Sequence, residues 1–256
     1  MKFGEKIKRM KGNRKIVMLT AYDYLTAKIL DETPIDLILV GDSLAMTFQG
    51  CKDTRKVTME QMLYHSMAVA KGSEKTPVIG DMPVDSYSTP AKALRNAGRF
   101  LKAGIHGIKI EGNHPKVVQT LTEAGISVMG HVGLLPQTAE SYRVQGREEK
   151  TAELILKDAL ELDECGVFSM VLECVPESLG RKITENIKAP TIGIGAGRFC
   201  DGQVLVISDI LGLDNRFTPK FLKKYANLRE TIRNVAQQFS KEVRSGLYPD
   251  NEHIYH

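Results

Sequence analysis

"LILVGDSLAM", residues 37 to 46, is an apolar run that stops on Gly41, Asp42 and Ser43. A short apolar run bounded by turn residues fits a strand buried on both faces. Ending such a strand on a carboxylate needs a reason, because ionised side chains are rarely buried without a partner. The pattern recurs: "PVIGD" (77 to 81) ends on Asp81, and "GIKIE" (107 to 111) ends on Glu111.

Working outward, the same kind of β-rich run occurs at 15–22, 36–40, 77–81, 107–111, 126–131, 168–173, 190–195 and 202–207. Most are separated by stretches of helical pattern, such as "MEQMLYHSMAVAKG", "PAKALRNAGRFLKAG", "PKVVQTLTEAG" and "TAELILKDALELDECG", several of which close on Gly. Strand and helix in alternation call for parallel strands with helical crossovers. Eight such units in 256 residues fit a (β/α)8 TIM barrel better than an open sheet. With 42% hydrophobic residues and no low-complexity linker, the expectation is a single barrel domain over 1–256. The stretch "PKFLKKYANLRETIRNVAQQFSKEV" spaces Leu222, Tyr225, Leu228, Ile232, Val235, Phe239 and Val243 helically, which predicts a C-terminal packing helix over about 218–245.

A barrel gives the acidic strand ends their reason. Active sites of this fold lie where strands end, so residues closing several strands meet at one mouth. Asp42, Asp81 and Glu111 close neighbouring strands, about 4.8 Å apart, and would repel one another if unpaired. A divalent cation removes that repulsion, and an all-oxygen donor set favours Mg²⁺. Each acid alone could be a helix N-cap or a surface charge; three at matching positions point to the ion. Along "GIKIE", Lys109 and Glu111 share one face while Ile108 and Ile110 share the other, so the two charged residues should point inward. Lys109 would then bind an anion, pair with Glu111, or both. Glu173, closing the sixth run, is placed across the barrel from the cation and free to accept a proton. His131, closing the fifth, could ligate, orient substrate or form a structural hydrogen bond. Ser43 is either a helix N-cap or a ligand contact.

The charge balance is mild, with 35 basic against 31 acidic residues and a formal net charge of +4. Together with the lack of a recognition motif it argues against nucleic acid as partner and suits a small anionic ligand. No apolar stretch approaches the roughly 20 residues of a membrane span, and "MKFGEKIKRMKGNRK" lacks the apolar centre of a signal peptide. A soluble, cytoplasmic protein is expected. Cys51, Cys165, Cys174 and Cys200 form no C-x-x-C pair, so neither a zinc site nor a disulfide framework is indicated.

Taken together, "TAYDY", "VGDSLAM", "VTMEQMLYHSMAVAKG", "GDMPVDSY", "IKIEG", "HVGLLPQ", "VQGR", "LECVP", "IGIGAG" and "CDGQVLVISDILGL" resemble the ketopantoate hydroxymethyltransferase family, in the family's order, from about Lys15 to Leu213. "YPDNEH" near the C-terminus extends the likeness. The resemblance implies a barrel of the phosphoenolpyruvate mutase and isocitrate lyase type. It implies transfer of a hydroxymethyl group from 5,10-methylenetetrahydrofolate to 3-methyl-2-oxobutanoate, with Mg²⁺, giving ketopantoate for pantothenate synthesis. By the same resemblance Asp42, Asp81 and Glu111 are metal-linked acids. Ser43, Asp42, Asp81, Lys109 and His131 contact the 2-oxo acid, and Glu173 is the base. A large homo-oligomer, a decamer of two rings, is implied as well. The chain departs from the family pattern at Ala45 and Val84 and in a shorter segment between Gln137 and Arg143.

Overall fold

In a computed structural model, which describes residues 3–216 and 218–255, the eight runs become eight strands. They are β1 Ile16–Thr20, β2 Leu37–Val40, β3 Val78–Asp81, β4 Gly107–Lys109, β5 Val128–Gly133, β6 Ser169–Glu173, β7 Thr191–Ile194 and β8 Gly202–Leu205. Each pairs in parallel with the next, and β8 returns to β1, so the sheet closes in chain order. The fold is the expected (β/α)8 barrel.

The helices are α1 Phe3–Lys8, α2 Tyr24–Asp31, α3 Leu44–Thr47, α4 Met59–Gly72, α5 Pro90–Lys102, α6 Pro115–Glu123, α7 Glu149–Glu164, α8 Glu177–Asn186, α9 Ile207–Ile210 and α10 Leu228–Arg244. Local chemistry sets their limits. Thr58 and Gln61 form a reciprocal capping box at the start of α4. Thr89 caps α5 and is followed by Pro90 in the first turn, where a missing N–H costs nothing. After α5, α6 and α7 the chain turns off at Gly104, Gly125 and Gly166, with φ of 90°, 78° and 87° that a side chain would resist.

Side chains alternate along each strand, and the inward set is apolar through most of the barrel: Met18, Leu39, Ile79, Met129, Val171 and Ile192 belong to one buried cluster. Each such side chain contributes about 1.5–3 kcal/mol on burial. At the N-terminal end Phe3 of α1 packs edge-on against Phe168 at 5.2 Å, and Ile7 joins the same cluster. Toward the C-terminal end the inward positions change character. Two residues beyond Ile79 stands Asp81, two beyond Gly107 stands Lys109, two beyond Met129 stands His131, and two beyond Val171 stands Glu173. The apolar layers thus carry an ionisable layer at the mouth.

The chain divides into two compact units, Met1–Val206 with the barrel and Ile207–His256. The C-terminal helix starts later than residue 218. Asn227 caps it by accepting from the Glu230 N–H, and α10 runs from Leu228. None of its residues is buried. The stripe expected to pack, Ile232, Val235, Phe239 and Val243, stays exposed by 46–62%. Helical spacing identified an apolar face without identifying what covers it. Among the described residues no helix is long and apolar enough to cross a membrane, and all four cysteines are free.

Candidate active site

The site is built from consecutive strand ends. Asp81 and Lys109 are register partners across β3 and β4, and their side chains pair directly, Lys109 Nζ to Asp81 Oδ1 at 2.7 Å. The inward lysine is confirmed, but its ion-pair partner is Asp81 on the neighbouring strand, not Glu111 on its own. Residues two apart on one strand stand side by side along the barrel, whereas register partners face each other at one level. The other Asp81 oxygen, Oδ2, accepts the backbone N–H of Asp42 at 3.0 Å, which draws the turn after β2 over the end of β3.

Glu111 lies two residues past Lys109 and turns toward β5. Its Oε1 stands 3.6 Å from His131 Nδ1 and its Oε2 accepts the Gln137 N–H at 3.1 Å. On the far side of the imidazole, His131 Nε2 stands 3.3 Å from Glu173 Oε2. Glu173 thus stands one imidazole from Glu111, although β6 lies four strands from β2, which leads to Asp42, and three from β3, which carries Asp81. The inward positions of β4, β5 and β6 follow one another around the mouth, and His131 fills the middle one. Both contacts are long for hydrogen bonds, so the link is mainly ionic.

Backbone geometry fixes Glu173. Its carbonyl accepts the Leu134 N–H at 2.9 Å. Gly133 has φ 100°, and a Cβ there would sit 2.3 Å from that carbonyl oxygen. Cys174, the next residue, takes φ 47°, a rare conformation for a residue with a side chain. The strained turn ends β6 so that the Glu173 side chain remains at the mouth, 18% exposed, while Asp81 and Lys109 are 3% and 6% exposed. Glu173 is thus the more accessible carboxylate.

Electrostatics follow from crowding. Burial and the nearby Asp81 and Glu111 carboxylates push the Asp42 pKa well above the usual range. Burial works against ionising Glu111 too, but His131, Lys109 and the Gln137 N–H outweigh it and hold its pKa below normal. Burial opposes charge on His131, yet Glu111 and Glu173 raise its pKa to about 9. Lys109 is likewise kept charged, as Asp81, Glu111 and Asp42 overcome the effect of burial. Four carboxyl groups thus face two cationic partners, Lys109 and His131. Like charges 4 Å apart at an effective dielectric near 20 cost about 4 kcal/mol, so the surplus negative charge fits a bound divalent cation.

Direct ligation by all three expected acids does not fit as well. Among the described residues no group of three or more His, Cys, Asp and Glu side chains is arranged to hold one ion together. The reason is visible at Glu111, whose two oxygens face His131 and the Gln137 N–H. Asp42 and Asp81 retain free lone pairs, since a carboxylate oxygen accepts more than one bond. An oxygen site of this kind suits Mg²⁺, which keeps several waters and takes one or two carboxylates.

Ser43 occupies the N-cap position of α3, yet its hydroxyl makes no capping bond and instead shares one with Tyr22 Oη at 2.8 Å. Of its two readings, the structure disfavours the cap. Three residues escaped sequence reasoning: Tyr22, Tyr87 and Gln137. Gln137 Nε2 donates to Asp42 Oδ2 at 2.9 Å and to the Met82 carbonyl at 3.0 Å, while the Tyr87 hydroxyl donates to its Oε1 at 2.5 Å. Gln137 stands inside "HVGLLPQ", but a neutral residue in a loop has neither charge nor period to mark it.

The family model described as ketopantoate hydroxymethyltransferase matches residues 3–251. A 3-methyl-2-oxobutanoate hydroxymethyltransferase from Thermotoga neapolitana is 53% identical, covering 98% of this chain and 95% of its own length. One from Syntrophus aciditrophicus is 48% identical over 96% and 93%. Among solved structures, a phosphonopyruvate hydrolase in complex with oxalate and Mg²⁺ superposes with a TM-score of 0.66, covering 100% of this chain and 92% of its own, at 12% identity. A phosphoenolpyruvate phosphomutase from Streptomyces platensis gives 0.65 at 14% identity with the same coverage. At such identities these two speak for the fold alone.

Proposed function

The chain belongs to the ketopantoate hydroxymethyltransferase family and is an enzyme, and from that premise we propose that it transfers a hydroxymethyl group from 5,10-methylenetetrahydrofolate to 3-methyl-2-oxobutanoate. The observation that carries this reading is the mouth itself, where a cluster of buried acids adjoins a lysine and, one imidazole away, a more exposed carboxylate.

Lys109 and Ser43 hold the carboxylate end of the 2-oxo acid. Asp42 and Asp81 would hold Mg²⁺, with Glu111 adding charge beside them, and the ion would supply Lewis-acid polarisation of the 2-oxo group. Glu173 removes the C3 proton, and the C–H electron pair becomes the C2=C3 bond of the enolate. A positioned base of this kind contributes about 10² to 10⁴ in rate. His131, charged and wedged between Glu173 and Glu111, orients the base and balances the two carboxylates. C3 then attacks the methylene carbon of the folate as its bond to N10 breaks, and water displaces N5 from the same carbon. Both C–N pairs return to nitrogen, the water oxygen becomes the hydroxyl, and the C3 proton and one water proton end on the two nitrogens. Ketopantoate and tetrahydrofolate leave, as the first step toward pantothenate. The reading includes a cytoplasmic homo-oligomer of the family's two-ring kind, in which the bare stripe on α10 is covered by another subunit.

The test is a defined mixture of protein, 3-methyl-2-oxobutanoate, 5,10-methylenetetrahydrofolate and Mg²⁺, with ketopantoate measured by mass spectrometry. Product that disappears when any one component is left out supports the reading. No product from a folded protein that binds the 2-oxo acid overturns it.

A further inference from the structure

Gln137 lies four residues past the end of β5, in the connection to α7, and is only 2% exposed, whereas residues 140–144 beyond it are exposed. Its amide is oriented without ambiguity. The Met82 carbonyl can only accept, so the group facing it is the NH₂, and the same NH₂ reaches Asp42. That leaves Oε1 to accept from the Tyr87 hydroxyl, while the backbone N–H is committed to Glu111. One residue thus ties together the chain segments that follow β2, β3, β4 and β5. It does so with a neutral group, which steadies two acids without cancelling the charge that would attract a cation.

We propose that Gln137 is a positioning residue that fixes Asp42 and Glu111 relative to each other for cation binding, with Tyr87 holding its amide in the donating orientation. This rests on the metal-assisted reading above. A lysine here would neutralise the cluster, and an apolar residue would leave Asp42, the Met82 carbonyl and the Tyr87 hydroxyl without their shared partner, which is costly for buried polar groups. The inference also makes the β5–α7 connection part of the acid site: its exposed stretch 140–144 is anchored by Gln137 at the acids.

The experiment is Mn²⁺ titration of the substrate-free protein followed by electron paramagnetic resonance, with circular dichroism and steady-state kinetics on the same samples. Wild type, Gln137→Leu, Gln137→Asn and Tyr87→Phe are compared. The expected result is Mn²⁺ binding by wild type, weakening of tenfold or more in Gln137→Leu, partial recovery in Gln137→Asn, and a few-fold weakening in Tyr87→Phe. The kcat should fall with Mn²⁺ affinity more than the KM for the 2-oxo acid rises. A wild type that binds no Mn²⁺ overturns the metal-assisted reading and this inference with it. Wild-type binding with unchanged affinity in folded Gln137→Leu overturns this inference alone. If Gln137→Leu does not fold, Tyr87→Phe decides, and unchanged affinity there overturns the inference.

Discussion

His131 stands with its Nε2 3.3 Å from Glu173 Oε2, fully buried and with its pKa raised to about 9 by the carboxylates on either side. The imidazolium is the only cation in contact with Glu173 among the described ion pairs. Replacing it with a neutral group of similar reach, His131→Gln, removes that charge while keeping hydrogen-bonding capacity. The expected outcome is a fall in kcat of roughly 10²-fold, at the low end of the range for a misplaced base. Steady-state kinetics checks it, and an unchanged kcat would count against His131 as the group that orients Glu173.

Lys109 and Asp81 form an ion pair with both side chains nearly inaccessible. Removing one partner strands a buried charge, so Lys109→Met should lower stability by about 3–5 kcal/mol in urea unfolding. Asp81→Asn in the same chain should restore part of that loss, because the stranded charge is gone. A double-mutant cycle with a coupling near zero would show that the pair does not act as a unit.

Asp31, at the end of α2, accepts the N–H groups of Glu74, Lys75 and Thr76 and the Ser73 hydroxyl, binding α2 to the link between α4 and β3. Burial raises its pKa, but these donors outweigh it and the net shift is downward. A depressed carboxyl stabilises the fold above the pKa of the unfolded chain, about 4, and that stability is lost as pH falls through the lower folded value. Asp31→Asn should therefore cost about 1–2 kcal/mol at pH 7, and the difference from wild type should fade as the pH falls below the unfolded value and through the lower folded one. A difference independent of pH would contradict the charge-assisted bonds.

On α10 the exposed stripe of Ile232, Val235, Phe239 and Val243 follows helical spacing along one face. If another subunit covers it, Val235→Glu with Phe239→Glu should shift the protein to smaller species in sedimentation velocity, with barrel secondary structure retained. Unchanged sedimentation would place the subunit contacts elsewhere.

The barrel was legible because its signal is periodic. The eight runs, the Gly stops after α5, α6 and α7, and the inward placement of Lys109 come directly from alternation and capping. The mouth was legible to the extent that charge marks it, at Asp42, Asp81, Glu111, His131 and Glu173. Sequence spacing cannot show which charge meets which: pairing with Glu111 was one open reading for Lys109, which pairs across the sheet with Asp81, and the imidazole that links Glu173 to Glu111 has no mark in the spacing. Gln137 and Tyr87 were invisible for a different reason: their roles arise from loops folding back over the strand ends. The stripe on α10 reads as buried in sequence, because periodicity reports an apolar face and says nothing about which chain covers it.

Proton abstraction at C3 by Glu173 is the central claim, and exchange measures it without the folate. Proton NMR of 3-methyl-2-oxobutanoate in D₂O, with Mg²⁺ and either wild type or Glu173→Gln, follows the C3 signal directly. The expected result is loss of that signal with wild type and its persistence, slowed by about 10² or more, with Glu173→Gln. Equal exchange by both proteins would contradict Glu173 as the base.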